Sequence, residues 1–588
     1  MEKWTVRNVK CELNNFKRNL NINDTVAKLL VNRGIYKVCD AQKFLNPKID
    51  YLYKPDTMKD LCKSSKLLKE NIDSGKKILI VGDYDVDGVI STYILYKCLR
   101  KLNANVSYHI PDRIKEGYGI NESIIRNAKD EKIDLIITCD NGISAIEQIR
   151  LAKELGISVI VTDHHDVPFK EDNDGNRKFI IPSADCVVNP KQLDCSYPFK
   201  NLCGAGVVYK LIENLFDLYK INKSEVTDLL QYVAIATVCD VVDLVDENRI
   251  IVKQGLEQIN NTNNIGLNAL FEETGVQDKK ISVYTLGFIV GPSINASGRL
   301  EQAFWALELL LSSDVNKAKK LAEKLNGLNK ERQVLTKEGV DKANSIIQDN
   351  SMQEDKVLIV YLDDIHESIA GIIAGRIREK YNLPTIILTR ANDGAKGSGR
   401  SIEEYNMFEE LLKCKDLLGK FGGHPMAAGM SIPIENIDAF RERLNQVHSL
   451  TDEDVQVKVK IDLSLPFNKI NYNLIDEISL LEPYGKGNPK PTFGVKKIKV
   501  IEAKILGKNK NVLKLKLSDG NLVVDGIYFG DIEKFQENIK NKYGESEFSR
   551  LFNTGSNKVF LDLIYFPEIN EYRGNKKVQL VISNYRVS

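Results

Sequence analysis

The sequence has no CxxC pair and no dense cysteine framework: its ten cysteines stand singly at 11, 39, 62, 98, 139, 186, 195, 203, 239 and 414. A disulfide scaffold is excluded, and the thiols read as reduced packing residues of a cytoplasmic protein. No apolar run approaches the ~20 residues a membrane span needs. The opening stretch, MEKWTVRNVKCELNN, has no apolar signal core, so no membrane association is expected. An excess of one charge is lacking too. With 82 basic residues against 81 acidic, the net charge is +1, and any nucleic-acid binding must come from local patches rather than a global field. What is present is an ordinary globular composition, 43% hydrophobic and 28% charged, neither disordered nor fibrous. The 588 residues exceed what one core can serve, because single cores stop growing near ~250–300 residues. Three or four domains are expected.

From Lys77 to about Val242, short β-branched runs alternate with amphipathic stretches. Ile78–Val81, Leu135–Ile137 and Val159–Val161 suit parallel strands buried on both faces, and Ile90–Leu102 and Ser144–Leu155 suit the intervening helices. The repeating unit is βαβ. Residues 1–70 read as a helical prelude to this domain of residues 71–300. Leucines at 321, 325, 328 and 335 on a charged, proline-free background predict a long connecting helix within 301–350. A second α/β unit occupies 351–450, with strands at Val357–Val360 and Thr385–Leu388 around a helix rich in small residues. From 456 to 588 short alternating strands (496–500, 504–506, 512–517, 523–529 and 559–565) suggest a small OB-like β-barrel.

The strongest chemical signal is where acids fall relative to the parallel strands. Asp83, Asp85 and Asp87 follow the first in GDYDVDG, Asp140 follows the second in TCDNG, and Asp163, His164 and His165 follow the third. The carboxyl ends of an open parallel sheet line one crevice, so these groups can converge. Asp240, after the apolar stretch in ATVCDVVDL, is a further candidate for it. Several carboxylates cannot share a site as anions without compensating positive charge. Two hard or borderline divalent ions, Mn²⁺ or Mg²⁺, ~3.5–4 Å apart would supply it and would support phosphodiester hydrolysis. An EF-hand calcium loop is a poor fit, since its twelfth position needs Glu and holds Ile94. A single strand-end aspartate is more often a helix cap; the recurrence at three strand ends favours a metal site.

GDYDVDG, TCDNG and TDHH match in order the motifs of the DHH phosphoesterases. YHIPDRIKEGYGI (108–120), LCGAGVVYKL (202–211), ATVCDVVDLVDENR (236–249), GPSINASGRL (291–300), GSGRS (397–401), FGGHPMAAG (421–429) and LEPYGKGNPKPTF (481–493) resemble the RecJ exonuclease family, from about residue 30 to the end. The resemblance implies that Asp85, Asp87, Asp140, His164 and Asp240 ligate two metal ions, with Asp140 between them and Asp83 as a further ligand. It implies that His165 contacts the scissile phosphate or assists proton transfer, that 351–450 is a DHH-associated substrate-binding domain, and that 456–588 is an OB fold. It also implies single-stranded DNA degraded from the 5′ end in repair and recombination, by a monomer working with single-stranded-DNA-binding protein and a helicase. Asn511 departs from the pattern, where a histidine is expected.

Beyond the metals, GSGRS and FGGHPMAAG place Ser398, Arg400 and His424 among glycines, in a turn whose amides and guanidinium can hold an anion; Arg299 of NASGR joins them through the resemblance as a 5′-phosphate contact. Residues 496–516 carry eight lysines against one acid, Glu502. Alternation would put several on one face, with Lys508, Lys510, Lys514 and Lys516 tracking a DNA backbone. Two rival functions remain. A phosphodiesterase of short oligonucleotides or cyclic dinucleotides, or a pyrophosphatase, would keep the site, but the basic barrel and the extra length count against it. A non-catalytic replication scaffold would be marked by lost ligands, and every motif acid and both histidines are present.

Overall fold

Lys77–Val81 (β1), Leu135–Cys139 (β3) and Ser158–Thr162 (β4) are rich in β-branched residues and buried almost from end to end, as strands covered on both faces must be. In the computed structural model, which describes residues 2–7, 13–171, 176–350, 352–391, 394–507, 509–553, 555–572 and 574–588, they form an all-parallel sheet with Asn105–His109 (β2) and Cys186–Val188 (β5). The strand order is β2-β1-β3-β4-β5. Successive residues point to opposite faces, so Leu79, Val81, Ile136, Val159 and Val161 share a core with Ile124, Ile125 and Ile149 of the flanking helices. Helices α1 (Val86–Lys101) and α2 (Gly204–Leu218) pack on the sheet and on each other. Helices α3 (Leu230–Cys239) and α4 (Gly291–Leu300) follow. The chain reverses direction across the sheet between β1 and β3, which is where an open α/β sheet forms its binding crevice.

Asp314 caps the 35-residue helix α5 (Val315–Asp349), accepting from the Lys317 amide at 2.6 Å. Leu321, Leu325 and Leu328 are buried along its first half, and Ala343 and Ile347 in its second half enter the core of the next α/β layer. That layer contains β6 (Leu358–Tyr361), α6 (Glu367–Tyr381), β7 (Thr385–Ala391), β8 (Gly394–Arg400), β9 (Phe421–His424) and β10 (Ala427–Ile432), in the sheet order β9-β10-β8-β7-β6. One expectation fails here. Ser398 and Arg400 do not lie in a turn but in β8, an inner strand paired with β7 and β10. Clustered glycines read as chain reversal from composition; here pairing on both sides holds them extended.

The chain divides into two compact units, one of Leu52–Asp243 with Ile250–Val457, the other of residues up to Tyr51, Leu244–Arg249 and Lys458–Ser588. The helical prelude is therefore split. Leu61–Asp73 packs with α2, whereas Phe16, Leu29, Leu30 and Phe44, from the helices before it, enter the core of the C-terminal barrel with Leu465 and Leu515. Lys3–Val6 pairs in parallel with Lys458–Ile461. A helical period shows that one face is buried, not what covers it.

The barrel strands are β11 (Phe493–Leu506), β12 (Val512–Ser518), β13 (Val523–Tyr528), β14 (Phe560–Tyr572) and β15 (Asn575–Val587). A helical stretch, Ile532–Phe552, kinked at Gly544, lies between β13 and β14. The order β11-β12-β13-β15-β14 closes through pairing of β14 with β11, and only β13 and β15 run parallel. This five-stranded closed barrel is an OB fold. Neither its helix nor β15 stands out among the short alternating runs of the sequence. No described helix is long and apolar enough to cross a membrane.

Candidate metal centre

Beyond β1 the chain turns through Asp83 and Tyr84 into α1, whose N-cap is Asp85, its carboxylate accepting from the Gly88 amide at 3.0 Å. Asp87, in the first turn, accepts from the Gly204 and Ala205 amides at 2.5 and 2.8 Å. These open α2, where the helix dipole favours an anion. A Cβ at Gly204 would lie 2.7 Å from the Asp140 Cβ, so glycine is what lets α2 approach. Asp140 follows β3 with φ 63°, a left-handed conformation that aspartate tolerates. His164 and His165 follow β4. Asp240 is the C-cap of α3, where the dipole opposes a carboxylate and only added positive charge relieves it.

These elements bring the expected ligands together. His164 Nε2 lies 3.1 Å from Asp140 Oδ1, 3.7 Å from Asp87 Oδ2 and 3.8 Å from Asp240 Oδ2. Three sets of donor atoms each fall within 4.8 Å of one another: Asp83, Asp85 and Asp140; Asp87, His164 and Asp240; and Asp140, His164 and His165. Asp140 thus belongs to two of these sets and lies against His164, which belongs to the remaining one. Its Oδ1, although close to the imidazole, has no hydrogen-bond partner among the described residues, and neither does Asp83 Oδ1. Buried oxygens are rarely left so.

The charge balance points the same way. Burial, then neighbouring carboxylates, push Asp83 and Asp140 well above the ordinary carboxylate range, Asp87 to about 6 and Asp240 to about 8. Burial, with the charge of His165, holds His164 down at about 3, leaving the neutral imidazole that ligates metals. Oxygen-rich donors with one imidazole, short of positive charge, fit hard or borderline divalent ions.

His165 is held differently. Burial works against its charge, but the hydrogen bond and charge of Asp163 prevail and raise it to about 9. Its Nδ1 lies 2.8 Å from Asp163 Oδ1, and its side chain is 45% exposed. Asp163, the first letter of DHH, is thereby a support: its carboxylate also accepts from the His164, His165 and Ile143 amides. The Tyr118 hydroxyl donates to the Asp140 carbonyl at 3.0 Å and lies 3.3 Å from His165 Nδ1. Tyr118 and Arg113 both sit inside YHIPDRIKEGYGI, yet no spacing in that segment singles them out.

Arg299 donates to the Ser368 carbonyl at 2.7 Å. Burial, then the charges of Arg113 and Arg332, with Arg400 also contributing, lower it to about 10. Burial and Arg113 likewise depress Arg400. Ser398 and Arg400 share one face of β8 against Gly371 of α6, where a Cβ would meet the Arg400 guanidinium at 2.7 Å. None of these four arginines forms an ion pair with a carboxylate among the described residues. His424 ends β9, and its charge acts on Asp166, next to the DHH histidines.

The barrel lysines meet expectation less well. Lys508 lies outside the described residues. Register breaks after Val495 and Val500 disrupt the alternation that would align the β11 lysines. Lys514 and Lys516 do share a face of β12, but Lys514 pairs with Asp525 at 2.9 Å and Lys516 stands opposite Glu502, itself paired with Lys504. Lys510 is exposed.

A parallel sheet with acids and a paired histidine at its strand ends, joined by a long helix to a second α/β layer, defines a DHH phosphoesterase. The model of the DHH family N-terminal domain matches residues 77–237, that of the DHHA1 domain 354–449, and that of the RecJ OB domain 461–584. The chain is 37% identical over 574 residues to the single-stranded-DNA-specific exonuclease RecJ of Bacillus subtilis, covering 97% of this chain and 69% of that one. It is 32% identical over 589 residues to its namesake from Haemophilus influenzae, covering 96% and 98%. Crystal structures of Thermus thermophilus RecJ with Mn²⁺ and with Mg²⁺ superpose with TM-scores of 0.81 and 0.75 at 26% identity, covering 99% of this chain and 79% and 78% of theirs. The chain belongs to the RecJ family.

Proposed function

We propose that the chain hydrolyses phosphodiester bonds of single-stranded DNA from the 5′ end, using two Mn²⁺ or Mg²⁺ ions held by Asp83, Asp85, Asp87, Asp140, His164 and Asp240. The observation that carries this reading is Asp140, buried, shared by two sets of ligand atoms, with an Oδ1 that has no hydrogen-bond partner among the described residues. When bound, the ions supply Lewis-acid polarisation of the phosphate and activation of water. His165, kept protonated by Asp163 and half exposed, offers a cation and a proton to the scissile phosphate. The guanidiniums of Arg299 and Arg400, which have no carboxylate partner among the described residues, supply with Ser398 a pocket for a terminal phosphate, which guanidinium grips bidentately. His424 lies at its margin, and the OB fold tracks the strand. The free thiols of the nine described cysteines suit a cytoplasmic enzyme. We also propose that it acts as a monomer recruited by single-stranded-DNA-binding protein and a helicase.

The test is the purified chain with Mn²⁺ or Mg²⁺ on end-labelled single-stranded DNA, duplex DNA, RNA and a cyclic dinucleotide. Mononucleotides released from the 5′ end of the single strand are expected. Preferential cleavage of the cyclic dinucleotide would replace this reading with that of a small-substrate phosphodiesterase.

A further inference from the structure

The helical run that carries Arg299 near its end begins with two aromatic rings that no core receives. Tyr284 and Phe288 are 65% and 66% exposed, and their rings stack on each other with centroids 4.9 Å apart and planes inclined by 23°. One exposed apolar side chain is ordinary on a protein surface. Two large rings at i and i+4, each shielding one face of the other and leaving its own outer face in water, form a patch of the kind that marks a binding surface.

Local structure explains how they are presented. Ser282 caps the run through a reciprocal box with Thr285. Leu286–Val290 then widens into a π-helical turn before the run continues as α4, an irregularity that is rare and recurs at functional sites. Thr285, Leu286 and Val290 are buried, so the side bearing Tyr284 and Phe288 is left to solvent.

The same run is tied to the metal centre turn by turn. The charge of Asp85 acts on Arg299. One turn earlier Asn295 Oδ1 accepts from the Val86 amide, between Asp85 and Asp87, at 3.1 Å. Gly291 then meets α3, where a Cβ would lie 2.4 Å from Cys239 Sγ, and that thiol donates to the Leu286 carbonyl at 3.6 Å; Cys239 immediately precedes Asp240. From Arg299 to Phe288 the helix thus leads from the proposed phosphate pocket, past the acids of α1 and the end of α3, to the exposed rings. All these residues belong to one compact unit. At ~1.5 Å per residue Phe288 stands about 16 Å from Arg299 along the run, and a strand with ~3.4 Å between stacked bases covers that within about five nucleotides. Lys279 and Lys280, both exposed just before the cap, add positive charge for its phosphates. Aromatic faces with basic neighbours hold single strands without regard to sequence.

Resting on the function proposed above, we infer that Tyr284 and Phe288 form a base-stacking platform for the single strand on the 3′ side of the bond being cut. A paired base has both faces covered by its own neighbours, so the platform favours an unpaired strand at this distance from the metals.

The test measures affinity on the full chain carrying Asp140→Ala to prevent cleavage, with circular dichroism to establish the folding of each variant. A 5′-phosphorylated single strand is compared with strands in which one of the nucleotides near the 5′ end lacks its base. The joint change Tyr284→Ala and Phe288→Ala is expected to weaken binding of the unmodified strand roughly five- to a hundredfold, the range for loss of base stacking. Removing the base that stacks is expected to weaken the parent by a similar factor and the double variant hardly at all, because the two losses are one interaction. A merely structural role predicts no such coupling. Equal affinity of parent and double variant for the unmodified strand overturns the inference and leaves the pair to a protein partner; so does a loss that adds in full to that of every abasic strand. Should the double variant not fold, Phe288→Leu keeps apolar bulk without a ring and must weaken binding, while Phe288→Trp must not; parity of these two overturns the inference equally. If the wild-type chain neither binds nor cleaves the unmodified strand, it is the proposed function that fails, and the two failures are distinct.

Discussion

The two basic regions of the molecule are built on opposite principles. Arg299 and Arg400 are depressed by burial and by neighbouring arginines, with no carboxylate paired to them among the described residues. The barrel lysines are more exposed and partly neutralised by Asp525 and Glu502. Desolvated, mutually repelling guanidiniums are costly unless an anion joins them, which is why we assign the first region to the proposed terminal phosphate. Exposed pairs of opposite charge contribute little, so the second region is assigned only a weak, distributed pull on a strand in the proposed function. The metal centre is the mirror image of the first: crowded, buried carboxyl groups whose proton affinity is raised until cations join them.

The largest effect should come from that centre. Asp140→Ala is expected to abolish hydrolysis while the fold survives, because Asp140 is shared by two sets of ligand atoms; substantial cleavage by the folded variant at saturating Mn²⁺ would refute the two-ion arrangement. The same acids make the metal-free protein sensitive to pH. Asp87 and Asp240 titrate at about 6 and about 8 when folded, against ~3.9 for unfolded aspartate. Folding therefore raises their proton affinity. The stability they contribute is complete below about pH 4 and lost as pH rises through their folded values. Without metal, the wild type should fall in melting temperature relative to Asp240→Asn between about pH 4 and about pH 8, and Mn²⁺ should close that gap. A gap that does not change with pH would show that Asp240 is not proton-loaded.

Next in size is the proposed phosphate pocket. Removing the Arg400 guanidinium should cost about 1.5–3 kcal/mol, or roughly ten- to a hundredfold in kcat/KM, on a 5′-phosphorylated strand. A strand ending in a 5′-hydroxyl should be affected far less. Comparison of wild type with Arg400→Ala on the two ends, with Mn²⁺ affinity measured in parallel, decides the matter. Equal slowing of both substrates would assign Arg400 to the scissile phosphate or to the fold.

Much of this was legible in the residues. Strand-end acids reveal a crevice because a parallel sheet has one chemistry-bearing edge, so Asp83, Asp85, Asp87, Asp140 and His164 could be assembled from pattern alone. What pattern could not supply was tertiary. Glycines around Ser398 look like a turn until two neighbouring strands are seen to pair with them. The helices before Tyr51 show an apolar face without showing that the barrel covers it. Tyr118, Arg113 and the supporting role of Asp163 depend on side-chain direction at a loop, which no periodicity encodes.

The smallest expected effect best tests the opening contrast, because it separates lysines that look alike in sequence. Each phosphate contact on a single strand contributes ~0.7 to the slope of log affinity against log salt, through release of a condensed counterion. Lys510 is exposed and has no carboxylate partner among the described residues, so Lys510→Ala should lower the slope by about that amount if the residue faces DNA. Lys514 already has a counterion in Asp525. Binding a phosphate there exchanges one anion for another, and Lys514→Ala should change the slope less. The complementary variant reverses the sign: Asp525→Asn frees Lys514 and should steepen the salt dependence while tightening binding at low salt. Measuring the three slopes by fluorescence anisotropy on one labelled strand, with cleavage prevented by Asp140→Ala, gives the ordering directly. If Lys514→Ala matches Lys510→Ala and Asp525→Asn has no effect, the ion pair opens freely in solution. The barrel lysines would then act as one uniform strip, and the contrast would rest on burial alone.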